Sequence, residues 1–518
     1  MGGDPFYDVM TIKRNSTRLI VNTGAQYVRT IINMVLSLYS TRLILNALGV
    51  TDYGIFTLIA GVVSMLSFMT NAMVTTTQRF LSYHQAKSDV ATQRKVFGNS
   101  VLMHLLFCFG VLALLEFAGL FLFDGFLNIL PERIGAAKIV YQCTIFMILL
   151  SFITAPFKAL LIAHENLVYT SIVDVCDGIA KVLIALALTQ WGEDKLILYG
   201  YLMFAVYGIN LLAFSIYDFR HYEECTVPSV KQLDKSYLKS MSSFIGWQLY
   251  STGCIIGRTQ GTAIVLNRFF GTVINAAFGI ALQVSGAISF VSSSLFHAIA
   301  PQIVKAEGSG NRQKMFRLAE TASKFGFLLL AVLAVPIICY LGPLLQLWLG
   351  QVPEGAVLFC RVVLITALID QITLGLGTAN AAIGDIRNYS LVVNTIKLMT
   401  VPILMFLLWM NIDLHIAIWC YAAFELVCAL CRLPYLKISG GLIIREYVQR
   451  VFLKIFVPFV FLGISYSVIG YMQMSFVGFC GLGVLVTLFY VLLIYLSSLE
   501  TEERILINGF ISRILTIQ

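Results

Sequence analysis

The chain has 518 residues, 58% of them hydrophobic and only 12% charged, with a mean hydropathy of +0.85. Soluble domains carry about a quarter of their residues as charged side chains, so this composition excludes a water-soluble enzyme and points to an all-α polytopic membrane protein. The net charge of +8 comes without any loop that interleaves basic and aromatic residues, which argues against a nucleic-acid partner; the basic loops suit membrane lipids with anionic headgroups.

The opening stretch, MGGDPFYDVMTIKRNSTR, lacks the short apolar core and small-residue cleavage site of a signal peptide and reads as a cytosolic tail, 1–18. Segments long and apolar enough for a bilayer then follow at 19–48, 53–81, 99–123, 138–163, 167–190, 196–218, 241–267, 272–298, 319–341, 356–383, 388–410, 413–436, 451–472 and 476–497, giving about fourteen transmembrane helices. With the amino terminus inside, the cytosolic segments hold 21 Lys and Arg and the opposite loops three, Arg133, Lys195 and Arg268. That bias predicts a multi-pass protein with both termini cytosolic. The longest internal loops are about twenty residues and no GxxxxGK[ST] motif is present, so no soluble catalytic domain or nucleotide site is expected.

Of the eleven cysteines, only Cys225 falls in a loop. Cys428 and Cys431 form a CxxC with no second pair and no nearby histidine, so neither a metal nor any other cofactor is expected.

The chain repeats itself. LNALGVTDYGIF (45–56) aligns with LNRFFGTVINAAF (266–278), and QRKVF (93–97) with RQKMF (312–316). The first twelve spans therefore divide into two parallel six-helix bundles, 19–218 and 241–436, joined by a cytosolic linker at 219–240, with 437–518 holding two additional helices and a cytosolic tail.

The first span carries a polar stripe. At 100° per residue Asn22, Gln26, Arg29 and Asn33 share a sector of about 60° with Ser40. The span at 241–267 has its own, with Ser251, Arg258 and Thr262 on one face. Isolated charges in hydrocarbon are costly, so a hydrated cavity or a buried partner is expected at Arg29 and Arg258, and these stripe residues are the candidate substrate-binding set. Arg42 and Arg268 suit headgroup anchors. Asp177 and Lys181 have the i, i+4 spacing of an internal ion pair, which leaves Asp174 free to bind a cation or find another partner. Asp370, Lys397 and Glu425 are candidates for a second-half network, and with Asp174 and Asp177 they are the candidate ion-coupling residues; Arg432 reads as an inner-face anchor.

TRLILNALGVTDYGIFTLI (41–59), with its xLGxxDYGxF turn, the short turn IAHENLVY (162–169) and the six-plus-six layout resemble the polysaccharide and O-antigen flippases of the multidrug/oligosaccharidyl-lipid/polysaccharide (MOP) exporter superfamily. The resemblance covers residues 19 to 436. It implies a MATE-like pair of bundles in the bacterial cytoplasmic membrane, alternating between inward- and outward-open states. It also implies an undecaprenyl-diphosphate-linked oligosaccharide as cargo, Arg29 and Arg258 as diphosphate contacts, and a polysaccharide polymerase with chain-length machinery as partners. The extra pair of helices departs from the twelve usual in polysaccharide flippases. A sodium- or proton-coupled multidrug or metabolite antiporter of the same superfamily is the alternative, and a membrane-embedded glycosyltransferase is disfavoured by the repeat and the short loops.

Overall fold

A computed structural model describes residues 5–64, 66–87, 89–123, 131–190, 194–226, 234–349, 352–471, 476–500 and 503–504. Every described element is helical: α1 Pro5–Ser64, α2 Ser67–Gln85, α3 Val90–Phe121, α4 Ile134–Ala163, α5 Leu167–Thr189, α6 Lys195–His221, α7 Lys235–Gly308, α8 Arg312–Cys339, α9 Leu341–Leu349, α10 Ala356–Gln371 and α11 Leu374–Ile383. They continue as α12 Ile386–Trp409, α13 Leu414–Gly440 and α14 Ile444–Ile469. The last, α15, runs over Phe476–Leu493 and closes with a π-turn at Ile494–Ser498.

Among the described residues, nine helices are long and apolar enough to cross a membrane, and ten if α10 and α11, bent by 45° at their junction, form one broken span. The chain is an all-α polytopic membrane protein. α5, 23 residues long, is absent from that set because it carries three charged residues, Asp174, Asp177 and Lys181.

Exposed apolar side chains define the lipid-facing surface. On α3, Leu106, Phe109, Phe117, Leu120 and Phe121 are each more than half exposed, a pattern a soluble monomer avoids and a bilayer requires. On α1 the same inversion holds: Val28, Ile31, Met34 and Val35 point outward while Asn22, Gln26 and Ser40 are buried.

Two glycines punctuate the long helices. Gly49 in α1 has φ 79° and Gly271 in α7 has φ 80°, conformations that side chains with a Cβ resist. They stand 222 residues apart and fall inside the two stretches that align in sequence. Each marks a kink between two helical stretches at the corresponding place of the two aligned segments.

The chain forms two compact units, one of Ile20–Leu249 and one of Tyr250–Gln518 with Met1–Leu19. In the first, Ile44, Met147, Ala185, Leu188, Tyr199 and Met203 make a shared core beneath α1, α4, α5 and α6. In the second, Leu330, Ala331, Leu364, Leu462 and Tyr490 join α8 and α10 to α14 and α15.

Without water, helices associate through close packing and satisfied polar groups, which is the role of small residues here. Gly257 and Gly261 let α7 approach Leu398 and Val401 of α12, and a Cβ on Gly261 would sit 2.8 Å from Val401. Gly178 of α5 does the same for Asn33 and Leu36 of α1, at 2.9 Å each. Gly375, at the start of α11, is tighter still: a Cβ there would run into the backbone oxygen of Ala319, and its N–H donates to Ser323 Oγ at 3.0 Å.

Gly375→Ala is expected to destabilise the protein by about 1–3 kcal/mol, because backbone cannot yield as a side chain can. Thermal unfolding in detergent, against Gly246→Ala, where nothing lies within 4 Å of the added carbon, checks it.

Candidate functional site

In the unit Ile20–Leu249 the stripe of α1 faces α5 and the α4–α5 turn. Asn22 Nδ2 donates to the Glu165 carbonyl at 2.7 Å. Gln26 is buried, and Asn33 lies against Gly178 with its buried side-chain oxygen unpartnered. Between them Arg29 donates to Asp174 Oδ2 at 2.6 Å, and Lys158 of α4 takes the other oxygen, Oδ1, at 3.2 Å. Asp174 thus finds another partner, held by two cations. The triad carries one excess positive charge, and its side chains keep 24%, 23% and 34% of their surface for Arg29, Asp174 and Lys158. One turn along α5, Asp177 pairs with Lys181 at 2.6 Å and accepts from Asn210 at 2.7 Å, as the spacing predicts.

The unit Tyr250–Gln518 builds a larger and more buried network. Arg258 of α7 donates to Glu425 Oε2 at 2.6 Å and to the Tyr421 carbonyl at 2.6 Å, with its guanidinium 3.7 Å from the Tyr421 ring centroid. Lys397 of α12 reaches Glu425 Oε1 at 2.8 Å and Asp370 Oδ1 at 3.1 Å. Arg432 of α13 completes the set, donating to Asp370 Oδ1 at 2.8 Å. It is a network member and not an inner-face anchor, because its guanidinium also donates to Thr373 Oγ1 at 3.0 Å in the break between α10 and α11. Three cations meet two carboxylates, so this cluster too carries one excess positive charge. Arg258 and Glu425 side chains retain 6% and 2% of their surface, and the Nε atoms of Arg258 and Arg432 have no acceptor. Ser251 hydrogen-bonds Ser390 of α12 at 2.7 Å, and Thr262 is fully buried.

The broken span explains why Arg432 stands there. A break in hydrocarbon frees carbonyls that must find donors inside the protein. Arg432 NH1 donates to the Asp370 carbonyl at 3.4 Å, and Tyr447 donates its hydroxyl to the Ile372 carbonyl at 2.7 Å.

The kink glycines set a common register for the two stripes. Arg29 precedes Gly49 by twenty residues, about 30 Å of helix, whereas Arg258 precedes Gly271 by thirteen, about 20 Å. Arg29 is therefore the counterpart of Ser251, Gln26 of Gln248, and Arg258 of Leu36. The two arginines belong to equivalent helices and not to equivalent positions.

Two further clusters carry no signal in the spacing of residues. Arg133, a loop arginine in sequence, donates Nε to Asp52 Oδ1 at 2.9 Å and NH1 to Asp194 Oδ2 at 2.7 Å. The DYG motif thus supplies the acid that ties the α1 kink to the start of α4 and to Asp194, the N-cap of α6. His164, in the α4–α5 turn, binds Glu224 at 2.5 Å and stacks on Tyr222 with centroids 4.0 Å apart. The side chain of Arg42 lies outside the described residues.

With this geometry in place, comparison with known proteins is informative. No family model matches the chain. Over 338 residues it is 21% identical to the uncharacterized membrane protein EpsK of Bacillus subtilis, a match that spans 64% of this chain and 66% of that relative. A MATE transporter in its bent conformation superimposes with a TM-score of 0.72 at 12% identity, over 84% of this chain and 97% of its own. The fold is MATE-like. A MOP superfamily transporter from Pyrococcus furiosus, described as having a binding pocket of reverse polarity suggestive of a different function, gives a TM-score of 0.68 at 12% identity, over 82% of this chain and 95% of its own. Both likenesses are likenesses of fold.

Glu425→Gln leaves Arg258, Lys397 and Arg432 with Asp370 alone, and is expected to cost about 3–5 kcal/mol, the usual penalty for an unpaired buried charge. Thermal unfolding against Asp177→Asn, whose partner Lys181 is better exposed at 32%, measures the contrast. At Glu224, burial pushes the carboxyl up, but the hydrogen bond and charge of His164 outweigh it and hold it below its ordinary value. A depressed carboxyl stabilises the fold above its unfolded value and loses that contribution as pH falls through the folded one. Wild type is therefore expected to lose melting temperature below about pH 4.5 more steeply than Glu224→Gln, in a pH series of thermal melts.

Proposed function

We propose that the protein is a secondary transporter that works by alternating access, with the Arg29–Asp174–Lys158 triad as its working site. The observation that carries this reading is a carboxylate shared by two cations, with all three side chains partly exposed. Such a site can trade partners. An anionic group can take Arg29 and Lys158, since a guanidinium fork suits phosphate oxygens, and the released Asp174 is then open to a coupling cation. In this reading the chain crosses a bacterial cytoplasmic membrane fourteen times with both termini cytosolic. It is organised as bundles 19–218 and 241–436, the linker 219–240 and an appended pair within 437–518.

Two cargo classes follow. The MATE-like likeness supports a sodium- or proton-coupled antiporter more directly, and Asp174 is the coupling carboxylate in that case. The excess positive charge of both clusters favours a polyprenyl-diphosphate-linked oligosaccharide, with Arg29 as the diphosphate contact and Asn22, Gln26 and Asn33 as its polar surroundings. Arg258, Ser251 and Thr262 then serve the second unit, where Arg258 is already engaged by Glu425. The partners of that second reading are polysaccharide polymerase and chain-length machinery.

Reconstituted liposomes separate the two. A flippase moves a fluorescent undecaprenyl-diphosphate oligosaccharide, and Arg29→Ala slows it about 10- to 100-fold, the equivalent of one charge-assisted hydrogen bond. An antiporter leaves that lipid in place and shows ion-driven uptake of a small cation that Asp174→Asn abolishes. Transport of either kind that neither substitution alters removes the triad from the mechanism.

A further inference from the structure

Outside the triad and the five-charge network, one intramembrane charge stands apart. Lys324 is the thirteenth residue of α8, about 18 Å along the helix from its start, and its side chain is 3% exposed. Among the described residues its one carboxylate partner is Glu503, 179 residues away, on the segment that follows α15. Lys324 Nζ donates to Glu503 Oε1 at 2.8 Å, to Oε2 at 2.7 Å and to the Ser498 carbonyl at 3.3 Å. The Glu503 carboxylate is aimed by the Glu500 N–H, which donates to it at 2.8 Å.

The neighbouring contacts fasten the same place. Ser498 Oγ donates to the Lys454 carbonyl at 2.6 Å, and Lys454 Nζ to the Ser497 carbonyl at 3.0 Å. Arg450 of α14 lies 3.3 Å from Glu320 of α8 and 3.8 Å from Glu500. On α15 the apolar contact with α8 is confined to one face, where Phe479 and Tyr490 are buried and the Tyr490 hydroxyl donates to the Leu328 carbonyl at 2.9 Å, while Val484, Leu485, Leu488 and Phe489 are each more than half exposed. In a bilayer that exposed surface exerts no pull toward α8, because lipid solvates it as well as protein does. Beyond that one packed face, what holds α15 is its polar ties.

We propose that Glu503 is a latch: it is the counter-ion that Lys324 requires and an ionic contact that fastens the end of α15 to α8. The latch is ionic and local. Removing the acid strands an ammonium in a dry site, so the surrounding helices must part to let water reach it. Removing both charges strands nothing, and the remaining contacts then hold the helices together.

Hydrogen–deuterium exchange of the full chain in nanodiscs tests this through peptides that cover 482–498. Glu503→Gln is expected to speed exchange there about ten-fold or more, with α3 peptides unchanged. Lys324→Met/Glu503→Gln is expected to return to within about two-fold of wild type. Exchange in Glu503→Gln that matches wild type, or a double variant as loose as the single, overturns the latch. Should Glu503→Gln fail to accumulate, Glu503→Asp takes its place: the shortened carboxylate gives an intermediate rise if the pairing matters, and no rise if it does not.

Discussion

A charge inside hydrocarbon must be neutralised by something the chain itself brings to it, and this one requirement organises both units. Each buried cation meets an acid from a helix far away in sequence: Arg29 meets Asp174, Arg258 meets Glu425, and Arg432 and Lys397 meet Asp370. Because the cost of an unpaired charge is steep and its range short, these pairs fix which helix faces which more sharply than apolar contact with lipid-solvated neighbours can. Helix α1 illustrates the point. Its polar face turns toward α5 and its apolar face turns outward, the reverse of a soluble amphipathic helix.

The same logic governs uncharged backbone. The break between α10 and α11 is tolerated because Arg432 and Tyr447 answer the carbonyls it frees. Arg432 thereby serves two functions, as counter-ion and as backbone donor, and α13 is tied to the bend by that dual role. Close approach of helices comes from glycine at the contact, Gly261 toward Val401 and Gly178 toward Asn33. Each brings a polar stripe near enough to its partner for direct hydrogen bonding.

The two kinked helices have matching turns and unequal chemistry. Gly49 and Gly271 occupy matching places, yet the arginines of the two first helices are seven residues out of step. The triad side chains each keep about a quarter to a third of their surface, whereas the five-charge cluster is sealed apart from Asp370, whose side chain is 28% exposed. An excess positive charge in each gives both clusters a reason to prefer anions. The difference in burial is what distinguishes the two clusters.

Composition, hydropathy and the alternation of basic loops were enough to read an all-helical membrane protein from the chain, and the matching stretches at 45–56 and 266–278 located the two glycine turns. These features are legible because they are local: hydrophobic length and loop charge depend on a few neighbouring residues. The stripe on α1 was legible for the same reason, since helical periodicity places Asn22, Gln26, Arg29 and Asn33 on one face without reference to anything else. Apart from the i, i+4 pair of Asp177 and Lys181, which acid meets which base was not legible. Lys158 gave no signal, Arg432 looked like an anchor, and Lys324 found its acid 179 residues on. Ion pairing acts over a few ångströms in space and is indifferent to separation in sequence, so the tertiary structure alone decided it.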